Sequence, residues 1–269
     1  MTTIAKARHS AEAKLRTVGI ASFHLDTTLF LEKVTGKSRS WLLAHGDDEL
    51  GEAQIIALND LANRRSQRIP LVHLTNKLEF YGLDFYIDER VLQPRAETEK
   101  IVEYAIKYAP KNSRLIDVGT GSGAIAIAIK KHRPDVEVWA TDVSAEALEV
   151  TRLNASNLNV LISTLRSNLW DSVEGRFATI VTNLPYLRND AELMPEVIKE
   201  PAVALFGGQD GLELYRRFLK QLPDHLNPGG YLFTECDPWQ HEELIKSATA
   251  AGLKLIEPNN YFVLGFQRG

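Results

Sequence analysis

One cysteine, Cys236, stands in the 269 residues. No intrachain disulfide can form and no cysteine-rich zinc site is possible, so a reducing, cytoplasmic setting is expected. The seven histidines are scattered without metal-ligand spacing, and no metal is expected. Long apolar runs are missing as well. The longest small-apolar stretch, Ala124 to Ile129, is far too short to cross a bilayer, which predicts no membrane association. The opening Met1-Thr2-Thr3-Ile4-Ala5-Lys6 turns polar at once and predicts no signal peptide. There is no internal repeat and no low-complexity tract. An excess of positive charge is lacking too, for the chain carries a net −4. Residues 1–75 hold ten Lys/Arg and eight Asp/Glu, whereas residues 76–269 hold twenty-one and twenty-seven. A protein that tracks a phosphate backbone presents a basic face, and this longer half does not. Stable nucleic-acid binding is therefore not expected.

Hydrophobic content of 44% and charged content of 25% leave ample material for a full-sized domain plus a small one. Residues 1–75 read as a helical bundle. Leu15, Val18, Phe23, Leu25, Leu29, Leu31, Val34, Trp41, Leu42 and Leu43 supply apolar positions, with breaks at Gly19, Gly36 and Gly46. A longer helix is expected from about Asp48 to Gln67, with Ile55, Ile56, Leu58 and Leu61 as its apolar stripe and Pro70 as its stop. Residues 76–92 form a linker. Within it, Leu78 to Ile87 is aromatic-rich around Gly82, the signature of a β-hairpin.

From residue 93 onward the chain alternates helix and strand, so an α/β domain over 93–269 is expected, its mostly parallel sheet covered on both faces. Candidate strands are 114–118, 136–141, 160–166, 178–182 and 230–235, with helices beginning near Gly123, Ser144 and Gly211. Two late strands near 253–257 and 261–267, separated at Pro258, would finish the sheet as a hairpin.

The segment Leu115-Ile116-Asp117-Val118-Gly119-Thr120-Gly121-Ser122-Gly123 is a buried strand running into a glycine-rich turn. Gly119, Gly121 and Ala124 also satisfy a loose dinucleotide fingerprint, so the loop alone leaves a nicotinamide cofactor open. Three details favour S-adenosylmethionine. Asp117 precedes the first glycine by two residues, where it can face a cationic ammonium. The glycines run GxGxG, as in the large methyltransferase family with a seven-stranded sheet, which this stretch resembles. Asp142 ends the second strand, where a carboxylate can accept both ribose hydroxyls. Asp142 can equally cap the next helix, although Ser144 is also available for that.

Asn183-Leu184-Pro185-Tyr186 follows the apolar strand 178–182. In a doubly wound sheet the carboxyl ends of the strands frame the active crevice, so this tetrapeptide should face the cofactor. Its chemistry suits a planar NH2 group, whose lone pair is delocalised and weakly nucleophilic. Asn183 Oδ1 and the Leu184 carbonyl offer two acceptors that orient the nitrogen and stabilise the charge it gains. Pro185 stiffens the loop, and Tyr186 can lie against the flat group. Asn183, Pro185 and Tyr186 are the candidate catalytic residues, and all four are candidate substrate contacts.

These residues resemble the glutamine N5-methyltransferases of peptide chain release factors, and the likeness covers essentially the whole chain. Pro70 to Thr75 followed by Glu79-Phe80-Tyr81-Gly82 is similar to that family's inter-domain segment. Val91 to Glu99 resembles its Leu-Ile-Pro-Arg-Pro-Glu-Thr-Glu motif, and Glu200 to Leu212 its Glu-Pro…Gly-Gly…Asp-Gly-Leu stretch. The resemblance implies a Rossmann-like seven-stranded sheet with a small N-terminal helical domain that recognises the substrate protein. It implies S-adenosylmethionine as cofactor and S-adenosylhomocysteine as product; a monomer is expected, although the residues themselves do not give the oligomeric state. Asp117, Gly119, Thr120, Gly121, Ser122, Gly123, Asp142, Asn168, Leu169 and Asn183 are then the cofactor contacts, and the substrate is the glutamine of a Gly-Gly-Gln motif. The chain's own Gly207-Gly208-Gln209 reads as a turn.

Three positions depart from the family. Leu184 replaces a proline, but its carbonyl remains. Ala96 replaces another proline, and Asn168 stands where an acid usually meets the adenine amino group, though its amide oxygen can still accept. Arg95 and Glu99 are open between supporting the cofactor's methionine end and a salt bridge at a helix start. Asn-Leu-Pro-Tyr is also the form typical of ribosomal RNA adenine-N6 dimethyltransferases. The acidic catalytic half and the N-terminal placement of the helical bundle argue against that reading. A glutamine methyltransferase of a ribosomal protein, and a degenerate binder without turnover, complete the alternatives.

Overall fold

The computed structural model describes residues 2–256 and 261–269. The predicted break at Pro258 lies outside them. The chain divides into two compact units, one of residues 1–77 together with 194–199, the other of residues 78–193 and 200–269.

The first unit contains α1 (Ile4–Thr17), α2 (Phe23–Thr35), α3 (Arg39–Ala44), α4 (Glu52–Ser66) and α5 (Leu71–Thr75). Local chemistry marks the ends. Thr3 and Ser38 accept backbone N–H groups of the first turns of α1 and α3, and Gly36 closes α2 in the left-handed conformation. Leu15, Phe30, Leu31, Leu42, Leu58 and Leu74 form the core. The predicted stripe on α4 is only partly right. Leu58 and Leu61 are buried, but Ile56 is 63% exposed, because at helical spacing it falls on the face opposite Leu58 and Leu61. Leu25, Leu43 and Val18 are likewise exposed, not core. Pro70 does not stop α4, which ends at Ser66, but precedes α5.

The same unit holds an ion network, its Arg65–Asp26 pair buried and Arg68 and Glu196 partly exposed. Arg65 Nε donates to Asp26 Oδ2 at 2.7 Å, and Arg65 and Arg68 both reach Glu196 Oε1, at 3.1 and 3.2 Å.

The second unit opens with the expected hairpin, β1 (Leu78–Phe80) and β2 (Leu83–Phe85), antiparallel around Tyr81-Gly82. Then follow α6 (Glu99–Tyr108), β3 (Arg114–Val118), α7 (Ala124–His132), β4 (Glu137–Asp142), α8 (Ala145–Asn157), β5 (Ser163–Arg166), β6 (Phe177–Thr182), α9 (Glu213–His225), β7 (Leu226–Glu235), α10 (His241–Ala250), β8 (Leu253–Ile256) and β9 (Val263–Arg268). The seven strands from β3 onward form one sheet in the order β5-β4-β3-β6-β7-β9-β8, parallel except where β9 runs antiparallel to β7 and β8. The predicted Rossmann-like seven-stranded fold is therefore present. β3 is buried along almost its whole length, as a strand covered on both faces must be.

Two strand starts differ from expectation. β5 begins at Ser163, since Leu161 is 86% exposed and pairing with β4 starts at Trp139↔Ser163. β7 begins four residues early. Pro228-Gly229 reads as a breaker, but a register shift against β6 between Phe177↔Leu226 and Thr179↔Tyr231 absorbs it as a bulge.

Candidate active site

Strand order reverses at β3: the chain moves outward through β4 and β5, then returns to start β6 on the other side. Such a switch point leaves a crevice beyond the carboxyl ends of the strands. Here it holds about 950 Å³, part of it open to solvent, between Gly119, Gly121, Asp142, Asn168, Leu169, Asn183, Leu184 and Pro185. Those eight predicted residues are thus brought together from the ends of β3, β4, β5 and β6. Val91, Leu92, Pro201, Val203 and Ala204 also line the wall; they lie within the two family-like stretches, Val91 to Glu99 and Glu200 to Leu212, but were not singled out as site residues.

The glycine loop is held from behind. Gly119 N and Thr120 N both donate to the Thr141 carbonyl at 2.9 Å. Gly121 N donates to Asp142 Oδ2 at 2.9 Å. From α8, Thr151 Oγ1 donates to the Gly121 carbonyl at 2.8 Å and Asn154 Nδ2 to the Ser122 carbonyl at 2.9 Å. Thr120, Ser122 and Gly123 therefore sit behind the crevice surface. Gly123 serves packing: its φ is +82°, and a Cβ there would lie 2.8 Å from Thr151 Cγ2.

Of the two roles foreseen for Asp142, the helix cap falls to Ser144. Ser144 Oγ caps α8 by accepting from Ala147 N at 3.1 Å, while Asp142 Oδ1 accepts from Ser144 N at 2.9 Å. Burial raises the Asp142 pKa against those backbone donors, and the carboxylate still lines the crevice.

Asp117 is fully buried. Its Oδ2 accepts the Thr120 hydroxyl at 2.6 Å, and its Oδ1 has no partner. Burial, with a smaller contribution from the Asp142 charge, pushes its pKa up to about 7 although the Thr120 hydrogen bond opposes the rise. A buried carboxylate oxygen without a donor is an expensive arrangement in isolation. It fits a site completed by a cationic group, as the ammonium of S-adenosylmethionine would be.

On the opposite wall, Asn183 Nδ2 donates to Thr98 Oγ1 at 3.3 Å, and the Thr98 hydroxyl donates to Glu235 Oε2 at 2.7 Å. The Tyr186 hydroxyl donates to Glu235 Oε1 at 3.0 Å, which takes Tyr186 out of the crevice lining. Among the described residues no hydrogen bond engages Asn183 Oδ1 or the Leu184 carbonyl, the two acceptors singled out from sequence. Gln240 Nε2 braces the loop from below by donating to the carbonyls of Tyr186 and Asp210, at 2.9 and 3.2 Å. Gly207 packs against the same turn, where a Cβ would fall 2.4 Å from the Pro185 carbonyl oxygen.

Glu235, Thr98 and Gln240 were not foreseen. A carboxylate at the end of an apolar strand level with Asn183 was the available signal. Of the two roles left open for Arg95 and Glu99, Arg95 takes the salt bridge at a helix start, with Glu200 and not Glu99 as its partner. Arg95 Nη2 pairs with the buried Glu200 at 2.7 Å, and Glu99 accepts from Tyr81 N at 2.7 Å in the hairpin turn. Asn168 is exposed, its Oδ1 3.4 Å from Arg217 Nη2. Cys236 is buried with its thiol pushed up to about 12 by burial, too high for a nucleophile at neutral pH.

Among the described residues no helix is long and apolar enough to cross a membrane. Two family models match the chain, a PrmC N-terminal domain over residues 6–75 and a methyltransferase small domain over residues 102–210. Similar curated proteins include the release factor glutamine methyltransferase of Deinococcus radiodurans, 37% identical over 90% of this chain and 88% of that one. That of Escherichia coli K12 is 35% identical over 83% of this chain and 82% of its own length. Among solved structures, a methyltransferase from Pyrococcus furiosus is similar with a TM-score of 0.57 and 21% identity, covering 77% of this chain and 99% of that one. The 16S rRNA N2 G1207 methyltransferase of Thermus thermophilus, solved with AdoMet and guanosine, gives a TM-score of 0.52 at 16% identity, covering 72% and 50%. These two likenesses speak to the fold.

Proposed function

The chain belongs to the release factor glutamine methyltransferases, and we propose from that premise that it methylates the side-chain amide nitrogen of the glutamine in a Gly-Gly-Gln motif of a peptide chain release factor. The observation that carries the reading is that Asn183 and Leu184, whose Oδ1 and carbonyl have no hydrogen-bond partner among the described residues, line the same crevice as Gly119 and Gly121 of the glycine loop. S-adenosylmethionine, when bound, supplies an electrophilic methyl group on a sulfonium. Gly119, Gly121, Asp142, Asn168 and Leu169 would hold it, with the buried Asp117 behind the glycine loop as the proposed partner of its ammonium.

The rest of the task falls to the chain's own residues. An amide nitrogen is a poor nucleophile because its lone pair is delocalised. Accepting both of its N–H groups fixes the nitrogen in place and converts an encounter into an oriented approach. The same two acceptors gain strength as the nitrogen becomes positive, so they stabilise the transition state more than the ground state. Leu184 in place of proline leaves this intact, because the acceptor is a backbone carbonyl. The apolar wall of Val91, Leu92, Pro201 and Val203 limits water around the reacting atoms.

The helical unit is the proposed recognition element for the release factor. A monomeric, cytoplasmic protein without stable nucleic-acid binding belongs to the same proposal, supported by the single buried cysteine and the acidic balance of residues 76–269. The test is transfer of labelled methyl from S-adenosylmethionine to purified release factor, beside a Gln→Ala variant of its motif and ribosomal RNA. Label confined to the intact factor is expected, and Asn183→Ala should lower turnover by about 10²-fold or more, the usual cost of one such hydrogen-bonding group. Label on RNA, or on the Gln→Ala factor, would sink the assignment.

A further inference from the structure

Glu235 stands at the carboxyl end of β7, 2% exposed, and none of the motifs includes it. Its backbone is fixed, since the Tyr215 hydroxyl donates to the Glu235 carbonyl and Tyr215 in turn accepts from Thr234 Oγ1 at 3.0 Å. Its side chain collects the Thr98 hydroxyl at 2.7 Å and the Tyr186 hydroxyl at 3.0 Å; burial raises the pKa of this carboxyl, and the hydrogen-bonding groups around it, Thr98, Tyr186 and Asn183, oppose the rise. Burying a carboxylate is costly unless its oxygens are occupied, and a hydroxyl donor occupies each of these.

We propose that Glu235 is the positioning residue that, acting through Thr98, fixes which end of the Asn183 side-chain amide faces the crevice. The proposal rests on the assignment of Asn183 as an acceptor for the substrate amide. An ionised carboxylate can only accept. The Thr98 hydroxyl must therefore spend its single hydrogen on Glu235, which leaves Thr98 Oγ1 with lone pairs alone towards Asn183. A lone pair matches Nδ2 and repels Oδ1. The amide is driven to place its NH2 on the Thr98 side and its oxygen on the substrate side.

Oxygen and nitrogen of an asparagine are nearly equal in shape, so packing alone cannot choose between the two orientations. A fixed negative charge at the head of the chain of hydrogen bonds can. The wrong orientation would present N–H to N–H and abolish the acceptor on which the substrate's nitrogen depends. Tyr186, bound to the other carboxylate oxygen, ties the same anchor to the far end of the tetrapeptide.

Glu235→Gln keeps size and shape but supplies an amide able to donate. Thr98 can then turn its hydrogen towards Asn183 and admit the flipped amide. The experiment measures three quantities on full-length protein, for wild type, Glu235→Gln, Thr98→Val, Thr98→Ser and the Glu235→Gln/Thr98→Val pair. They are turnover on release factor, affinity for S-adenosylmethionine by calorimetry, and contacts of the assigned Asn183 side-chain NH2 to the Thr98 methyl group by NMR.

Glu235→Gln is expected to lower kcat by about 10²-fold, as for one lost transition-state hydrogen bond, with cofactor affinity and KM for the factor within about twofold. The Asn183 NH2 contacts to Thr98 should disappear. Thr98→Ser should restore wild-type turnover, and the double variant should be no worse than the poorer single one. Retention of the NH2–Thr98 contacts in Glu235→Gln, unchanged kcat, or additive losses in the double variant would each overturn the proposal. The NMR readout needs no substrate: a wild type that fails to label release factor refutes the substrate assignment, whereas the amide direction is decided separately.

Discussion

Replacing Asp117 with asparagine should make the cofactor-free protein less sensitive to pH. The carboxyl group titrates at about 7 in the folded protein and at 3.8 when unperturbed. A folded-state pKa above the unfolded one means that the folded chain holds a proton the unfolded chain has released. Stability from this group is therefore complete below pH 3.8 and drains away as pH rises towards about 7, at roughly 1.4 kcal/mol per pH unit. Between pH 5 and pH 8 wild type should lose about 3 kcal/mol that Asp117→Asn keeps.

The asparagine brings its own cost. Its oxygen can accept the Thr120 hydroxyl, but its NH2 occupies the place of an oxygen that has no partner, at about 1–3 kcal/mol. That penalty does not titrate, so the diagnostic quantity is the slope of the difference against pH, not its sign at any single pH. Urea unfolding of both proteins at pH 5, 6, 7 and 8, with equal m-values as the check on two-state behaviour, measures it. A difference flat to within about 0.5 kcal/mol across that range would show that Asp117 is ionised in the folded state and that its burial is compensated. The same substitution should weaken S-adenosylmethionine binding while it flattens the dependence of stability on pH.

Two further outcomes follow from the packing. Gly123→Ala places a Cβ 2.8 Å from Thr151 Cγ2 at a φ of +82°, and the left-handed strain plus overpacking should destabilise by about 2–4 kcal/mol; an unfolding midpoint equal to wild type would mean that α8 yields freely. Arg65→Met leaves Asp26 charged and buried without its guanidinium, which should destabilise by about 3–5 kcal/mol, whereas Asp26→Asn combined with Arg65→Met should recover part of the loss; a double variant no better than the single one would contradict the charge argument.

How legible the protein was in its sequence depended on whether a residue's role is local. The strand before Gly119 and the glycine loop were legible because backbone geometry demands those residue types at those positions. The mostly parallel sheet was legible because helix and strand alternate from residue 93 onward, and its seven-stranded form because the chain resembles a family that has it. Asn183 and Leu184 were legible because the end of β6 must open on the crevice. Asp117 was identified, but its missing partner was not, for burial is a property of the whole fold. Ile56 and Leu25 misled because apolar spacing identifies a face without saying whether anything covers it. Glu235 and Thr98 escaped because they lie 137 residues apart and meet only across the finished sheet. Arg95 escaped likewise: its partner, Glu200, is 105 residues away.

Residues 194–199 belong to the helical unit although both flanking stretches belong to the other. In the language of gene construction, the helical unit is not a removable prefix. Cutting the chain after Lys77 would strand a six-residue piece of it inside the remaining protein, with Glu196 deprived of Arg65 and Arg68. A helical unit borrowed from a relative would have to match that inserted piece as well as its own core. Exchange of halves between family members is therefore a two-cut operation, and inheritance of the two units as one block is the simpler course.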